Sequence, residues 1–421
     1  MKFSRTIGMG ACALLACAWQ STPAQISQAA PTVPLTMQQA VALARRQNPT
    51  LLAALQNLES TRGGEITAGL RQNPVFTLSG SDVTLPASNP ASPYSYSADL
   101  SRLFERGQKR RWRLDSARGS TRVTESQYHD LERQTELAVK QAFTNMLLAK
   151  AALQFADTNL TSYRKTVDLS KVRLQAGAIS ETDFERIDLQ LASFESDFAN
   201  AQVNLVQSSD QLQQLLGMEH PSRSFAVNGT LNPPTLALSL PELEQKALAA
   251  RPDYLAAQQA IQVADANIKL ADANGTTDPT LDAGYNRSGT YSSFGFNVSI
   301  PLRIFDRNQG EKQATRLTAQ SSRFTEMAAR SQVLSDVDQA WAAYQSAQTL
   351  AQRYNTHYVQ EAGNILKNLE FGYRHGNYTL LDYLEALHDN RQTNLDALNA
   401  NAQVWLSIDQ LSDATATEIL P

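Results

Sequence analysis

Beyond residue 17 the sequence contains no cysteine: the only two among 421 residues are Cys12 and Cys17. The body of the chain therefore forms no disulfide and does no thiol chemistry, and must be held by packing or assembly. Neither charge sign dominates. Lys and Arg total 37 against 41 Asp and Glu, a net charge of −4, which gives no reason to expect nucleic acid as a partner. No apolar run reaches the roughly 18 residues a transmembrane helix needs. The five histidines, His129, His220, His357, His375 and His388, are scattered and form no HxxxH or HExxH spacing, so no metal centre is expected. No Gly-rich phosphate loop follows a strand, and no G-x-S-x-G elbow is present. These absences argue against an enzyme, and no cofactor is expected.

The first residues have their own pattern. Lys2 and Arg5 precede the apolar run "IGMGACALLACAW", the charged-then-apolar form of a secretory signal. Two cleavage readings stand. Small residues around "TPAQ" suit an ordinary signal peptidase, with residues 1–24 as the signal. "LLAC" resembles a lipoprotein box in which Cys17 is lipidated, although Leu15 is bulky for it.

The rest of the chain is written twice. "SRLFERGQKR" from Ser101 and "SIPLRIFDRNQG" from Ser299 share a hydrophobe, Phe, acid, Arg, a turn-forming residue and Gln, aligning Phe104 with Phe305. "LTMQQAVALARRQNPTLLAALQ" from Leu35 resembles "LSLPELEQKALAARPDYLAAQQ" from Leu238. "RLQAGAISETDFE" from Arg173 resembles "YRHGNYTLLDYLE" from Tyr373, pairing Gly177 with Gly376, Ser180 with Thr379 and Asp183 with Asp382. Two copies are too few for a solenoid and imply a tandem, pseudo-symmetric fold. The first repeat spans 35–230, with a β-hairpin at 75–104 and a tip at 175–183. The second spans 238–415, with a hairpin at 280–304 and a tip at 374–382.

Within each repeat the periodicity changes along the chain. Tyr94, Tyr96, Ala98 and Leu100 alternate with Ser95, Ser97 and Asp99; Phe294, Phe296, Val298, Ile300 and Leu302 alternate with small or polar residues; Leu281, Ala283 and Tyr285 alternate with Asp282, Gly284 and Asn286. Period-two alternation marks strands with one apolar and one polar face. Val75–Thr84 is ambiguous. After each hairpin comes a helical stretch, from about Lys109 to about Gln175 and from about Glu311 to about His375, interrupted only by Gly119 and Gly363. About 65 residues give about 100 Å of helix. In the second stretch Val337, Ala340, Tyr344, Ala347, Ala351, Tyr354 and Tyr358 recur at threes and fours, a coiled-coil seam. Gly177 and Gly376 suit helix ends. Ser180-x-x-Asp183 and Thr379-x-x-Asp382 read as caps of returning helices.

Together the duplicated hairpins, the long helices and the F-[DE]-R-x-Q phrase resemble the TolC-like outer-membrane factor family over essentially the whole chain after the leader. "IPLRIFDRNQG" is most similar to its CzcC-like metal-efflux branch. The resemblance implies a mainly α fold with a small β part. Duplicated helical hairpins would form an α-barrel, and four transmembrane strands per chain would build a 12-stranded β-barrel in a homotrimer. It implies an outer-membrane exit duct with a long periplasmic extension, working with a periplasmic adaptor and an inner-membrane pump of the RND type, heavy-metal cations being one possible cargo. Tyr94, Tyr96, Phe294, Phe296 and Val298 would face outer-membrane lipid. Arg106, Lys109, Arg110, Arg111, Arg303 and Arg307 would lie near lipid phosphates; such basic residues oppose the helix dipole and call for compensating partners. Gly177, Ser180, Gly376 and Thr379 would form adaptor-docking tips. Asp382 and Glu385, one turn apart, would give an entrance ring of carboxylates, some with raised pKa. Tyr373 and Asp183 match one latch pair of the family, whereas Tyr378 stands where a relative carries a latch arginine. The competing reading is a periplasmic coiled-coil scaffold whose strands never enter a membrane.

Overall fold

A computed structural model of the chain describes residues 34–81, 94–236 and 239–419. The leader with Cys17, both cleavage readings and the loop "LPASNPASP" lie outside the described residues. Elements follow one another as α1 (Met37–Gln47), α2 (Pro49–Gly69), β1 (Val75–Ser81), β2 (Ser95–Leu103), α3 (Lys109–Gln175) and α4 (Glu181–Leu215). The same order then recurs as α5 (Leu240–Ala250), α6 (Pro252–Asn274), β3 (Thr280–Ser288), β4 (Tyr291–Ser299), α7 (Gln309–Arg353), α8 (Val359–Arg374) and α9 (Leu380–Thr415). The fold is mainly α with one small antiparallel sheet.

Local chemistry sets the helix boundaries. A capping box between Thr36 and Gln39 opens α1. Asn48 then ends α1 and starts α2: its backbone is extended, its side chain accepts from the Thr50 and Leu51 amides, and Pro49 takes the first helical position, where a missing N–H costs nothing. Arg251 and Pro252 make the matching break in the second repeat. Both long helices start after a left-handed residue, Gln108 at φ 61° and Asn308 at φ 62°. The first copy places Gly107, at φ 70°, before Gln108. The structural equivalence at this junction is thus Gln108 with Asn308, one position off the alignment of Phe104 with Phe305.

The 67 residues of α3 run unbroken. Gly119 lets α3 press on α6, since a Cβ there would lie 2.8 Å from Val263 Cγ2. The second long helix differs from expectation. It passes Gly363 undisturbed but is interrupted by a π-helical turn at Tyr354–Tyr358. Val337, Ala340, Tyr344, Ala347 and Ala351 form the buried seam, and beyond it Tyr358 is 39% exposed. A π turn takes more residues per revolution than an α turn, so the apolar stripe rotates off its partner there.

The helices pack as a wall. In one half of its length α3 lies between α2 and α6, with α6 against α7; in the other half it packs on α4 and α9, with α9 against α7 and α8. Apolar clusters are local. One joins α1, α3 and the end of α4 around Phe143 and Leu212. A second joins α5, α6, α7 and the end of α9 around Val333 and Leu411. A third joins the two hairpins near their tips around Tyr163, Ile187 and Tyr383. At the waist a charge cluster ties α6, α7 and α9 of the second repeat together. Arg251, 4% exposed, pairs with Asp253 at 2.6 Å and with Asp336 of α7 at 2.8 Å. It also reaches the Ala414 carbonyl of α9 at 3.5 Å.

Removing Arg251 leaves two carboxylates without their cation. Arg251→Ala is expected to lose about 3–5 kcal/mol, read as a lower thermal unfolding midpoint of the detergent-solubilised protein. A midpoint unchanged from wild type would show that the waist does not depend on this cluster.

Candidate functional site

The sheet runs β1-β2-β3-β4, antiparallel throughout. Its register sorts every side chain. Phe76 pairs with Leu100, Leu100 with Ala283, and Ala283 with Phe296. Leu78, Ala98, Tyr285 and Phe294 form the next row, and Leu281 with Val298 extends the face. The opposite face carries Thr77, Asp99, Gly284 and Gly295 in one row and Ser79, Ser97, Asn286 and Ser293 in another. Register is fixed because a one-residue slip would exchange the two faces.

The apolar face is not a core. Phe294 is 88% exposed and Phe296 84%; Leu78, Tyr96 and Val298 are exposed as well. Tyr94 lies just before β2, also exposed. Ile300 and Leu302, read as part of a strand, fall beyond the end of β4 at Ser299, where Pro301 has no N–H for a ladder. The outer edges of β1 and β4 pair with no strand among the described residues. Val75–Ser81, ambiguous in sequence, is a strand.

Below the sheet, the basic phrase has found its compensation. Lys109 does not reach outward. It is buried, and its Nζ pairs with Asp278 at 2.5 Å and donates to the Thr276 carbonyl at 2.9 Å. Asp278 also accepts from the Arg106 amide at 2.8 Å. Arg113 pairs with Glu105 at 2.8 Å and donates to the Ala68 and Leu70 carbonyls. The cation that opposes the α3 dipole is therefore held by the other repeat. Sequence reasoning missed this pair because its members are 169 residues apart.

At the far end are two tight turns. Gly177 at φ 71° and Gly376 at φ 77° close α3 and α8. The Ala178 amide returns to the Arg173 carbonyl at 2.8 Å, and the Asn377 amide to the Gly372 carbonyl at 2.8 Å. Ser180 Oγ accepts from the Asp183 amide at 3.1 Å. Thr379 and Asp382 form a full capping box: Thr379 Oγ1 accepts from the Asp382 amide, and Asp382 Oδ2 accepts from the Thr379 amide at 2.9 Å and its hydroxyl at 2.7 Å. These bonds to the Thr379 hydroxyl and amide hold the Asp382 carboxyl below the usual carboxylate range. Glu385 is exposed one turn on.

The proposed latch pair is near but not joined. No hydrogen bond links Tyr373 to Asp183 among the described residues. Burial raises the Tyr373 pKa, Arg173 opposes that rise and Asp183 adds to it. The direct partner is Arg173, whose guanidinium lies 5.7 Å from the Tyr373 ring centre. Tyr373 in turn stacks on Tyr383 at 5.6 Å. Tyr378 covers Gly372 so closely that a Cβ there would meet the ring at 2.2 Å. Arg173 and Gly372 were not singled out in sequence, since each depends on a contact across the turn.

The cap at Thr379 should control order at this tip. Thr379→Ala is expected to cost about 1 kcal/mol of local stability and to speed amide exchange across residues 376–385 at pH 7. In the wild type, a carboxyl depressed by its cap stabilises the turn above the ordinary carboxylate range. That protection is lost as pH falls through the Asp382 pKa. Exchange measured by mass spectrometry at both pH extremes checks both arms.

With this geometry in hand, comparison with known proteins is informative. The family model described as outer membrane efflux protein matches residues 40–218 and 243–417. The chain is 26% identical to the cobalt-zinc-cadmium resistance protein CzcC of Cupriavidus metallidurans over 90% of each chain. It is 27% identical to the outer membrane protein TolC of Vibrio cholerae over 76% of each. Among solved structures, CusC superposes with a TM-score of 0.78 at 22% identity, covering 91% of this chain and 92% of that one. The open MtrE channel of Neisseria gonorrhoeae gives 0.76 at 19% identity, covering 91% and 89%. The two-part match and the shared fold lead to one conclusion: the chain belongs to the outer membrane efflux protein family.

Proposed function

We propose that the protein is the outer-membrane exit duct of a tripartite efflux system, formed by two tandem repeats at 35–230 and 238–415. The observation that carries this reading is the largely exposed apolar face on a sheet whose other face is polar. One face meets lipid while the other lines water. Four strands cannot close a barrel, because the smallest transmembrane barrels have eight. Three copies supply twelve strands, with β4 of each chain pairing β1 of the next. Such closure satisfies the open edges, which the bilayer core would not tolerate. The helical wall then continues the lumen through the periplasm. The protein acts as a passive conduit rather than an enzyme.

Partners and cargo follow from the relatives. A periplasmic adaptor would dock on the tips around Gly177, Ser180, Gly376 and Thr379, and an RND-type inner-membrane pump would supply energy. Heavy-metal cations are the cargo favoured by similarity to CzcC and to CusC, a cation efflux system protein. Among the described residues no group of three or more His, Cys, Asp or Glu side chains is placed to hold a metal. A duct that releases its cargo has no need of tight binding.

The lipid-facing role is tested by Phe296→Arg, at a cost of about 2–4 kcal/mol near mid-membrane. Loss of outer-membrane insertion is expected, while the wild type should extract in mild detergent as three copies per particle. A wild-type monomer confined to the soluble periplasm, with Phe296→Arg behaving alike, would favour the scaffold reading instead. At the entrance, Asp382→Ala combined with Glu385→Ala should weaken block by divalent cations in bilayer recordings. Unchanged block would remove those carboxylates from the conducting path.

A further inference from the structure

At the waist of the wall, α3, the end of α9 and the α5–α6 corner enclose a cavity of about 260 Å3. Asp409 of α9 lines it and is only 3% exposed. Its Oδ2 atom has no hydrogen-bond partner. One turn along, Asp413 also lines the cavity, with Oδ2 taken by Arg133 at 2.5 Å and Oδ1 unpartnered. A buried carboxylate without a donor is costly, so this arrangement needs an occupant.

The surrounding cations do not serve. Arg133 is shared between Asp130 at 2.7 Å and Asp413. Lys140 of α3 is held by Glu136 at 3.0 Å and by Glu418, in the segment after α9, at 3.3 Å. Arg45 of α1 pairs with Glu136 at 2.5 Å, and His129 contacts Glu132 at 2.8 Å. At the α6 corner Arg251 is committed to Asp253 and Asp336. The unpartnered buried atoms in the cavity are thus acceptor oxygens on two carboxylates at i and i+4. The lining carries the carboxylates of Glu132, Glu136, Asp409, Asp413 and Glu418 against the cations Arg45, Arg133 and Lys140, a balance that disfavours an anion, and a neutral apolar ligand would leave both oxygens unpaired.

We propose that this cavity is a binding site for one small monovalent cation, sodium, potassium or a primary ammonium group, held between Asp409 and Asp413 and exchanging with a proton. Two carboxylates are too few for a structural transition-metal site, which takes about four protein ligands. Burial pushes the Asp409 carboxyl up to about 7 and raises that of Asp413. Below pH about 7 a proton therefore neutralises the empty site. Above it, the folded protein carries an uncompensated charge between α3 and α9 that a cation relieves.

The test uses the full chain in detergent and reads the thermal unfolding midpoint. At pH 8 the midpoint should rise and saturate with sodium, potassium or methylammonium chloride, but not with choline chloride at the same ionic strength, since the three methyl groups of choline keep its charge away from the buried carboxylate oxygens. At pH 5, about two units below the Asp409 pKa, the apparent affinity should be about 100-fold weaker. Asp409→Asn should abolish the cation response and raise the midpoint at pH 8. An equal response to choline, or a full response in Asp409→Asn, would overturn the proposal. Should that variant fail to fold, infrared difference spectra of the wild type at pH 6 decide the matter. A carboxylic-acid carbonyl band that disappears on adding the cation supports the site, and a band unmoved by any of the three cations refutes it. No transport is involved, so failure here would leave the efflux reading intact.

Discussion

Four antiparallel strands present a wide apolar face, and two strand edges find no partner among the described residues. In water the face would be an aggregation surface. In lipid the unpaired amides and carbonyls would cost several kcal/mol each. One arrangement resolves both problems: the face meets hydrocarbon and the β4 edge of one chain meets the β1 edge of another. The rest of the chain is built to deliver the sheet to that position. Each hairpin is entered by a short helix and left through a left-handed residue, Gln108 or Asn308, which turns the strand direction into the axis of a helix long enough to cross the periplasm.

The helical wall buries little along much of its length. Many seam residues are alanine, from Ala340 through Ala351 on one helix to Ala397 through Ala402 on another; these permit close approach but contribute little area. Stability is accordingly concentrated at a few stations. The tips have an aromatic cluster with Tyr163 stacked on Phe194 at 4.3 Å. The waist has the arginines Arg133 and Arg251, each shared by two carboxylates. The junction below the sheet has Lys109 with Asp278. At the tips, at Arg133 and at Lys109 the contact crosses from one repeat to the other, whereas Arg251 braces the second repeat internally, so the duplication forms a single unit instead of two hairpins side by side.

How much of this could be read from sequence depended on whether the signal was local. Strand alternation is local: each side chain reports its own face, and the rows through Tyr96 and Phe294 were legible. Helix ends were legible for the same reason, since Gly177, Gly376 and their following caps act within a few residues. Val75–Ser81 resisted, because Gly80 and Ser81 blur its alternation, and the alternation through Ile300 and Leu302 ran past the end of β4 at Ser299. What lay hidden depended on distance or on geometry without a sequence mark. Lys109, expected near lipid phosphates, is instead buried against Asp278 of the other repeat. Asp382 looked like a free ring carboxylate, while its capping role, also legible, sets the direction of its pKa. The π turn at Tyr354–Tyr358 follows no Gly or Pro. Asp409 had one weak signal, an acid between the buried Ile408 and Leu411 on a helix otherwise apolar on that side.

The two repeats match most closely where they build the sheet and the turns, and they diverge where one hairpin must behave unlike the other. The first long helix is continuous, whereas the second carries a π turn about twenty residues above its tip, with Asn355 bonded across to Asn401 of α9 at 2.7 Å. A π turn holds a helix in a bent geometry without breaking it. The tip below that bend also differs, with Tyr378 folded over Gly372 where the first copy has Ile179 in the loop. The asymmetry between the repeats is thus carried by the long helices and their tips, while the sheet draws two like strands from each copy.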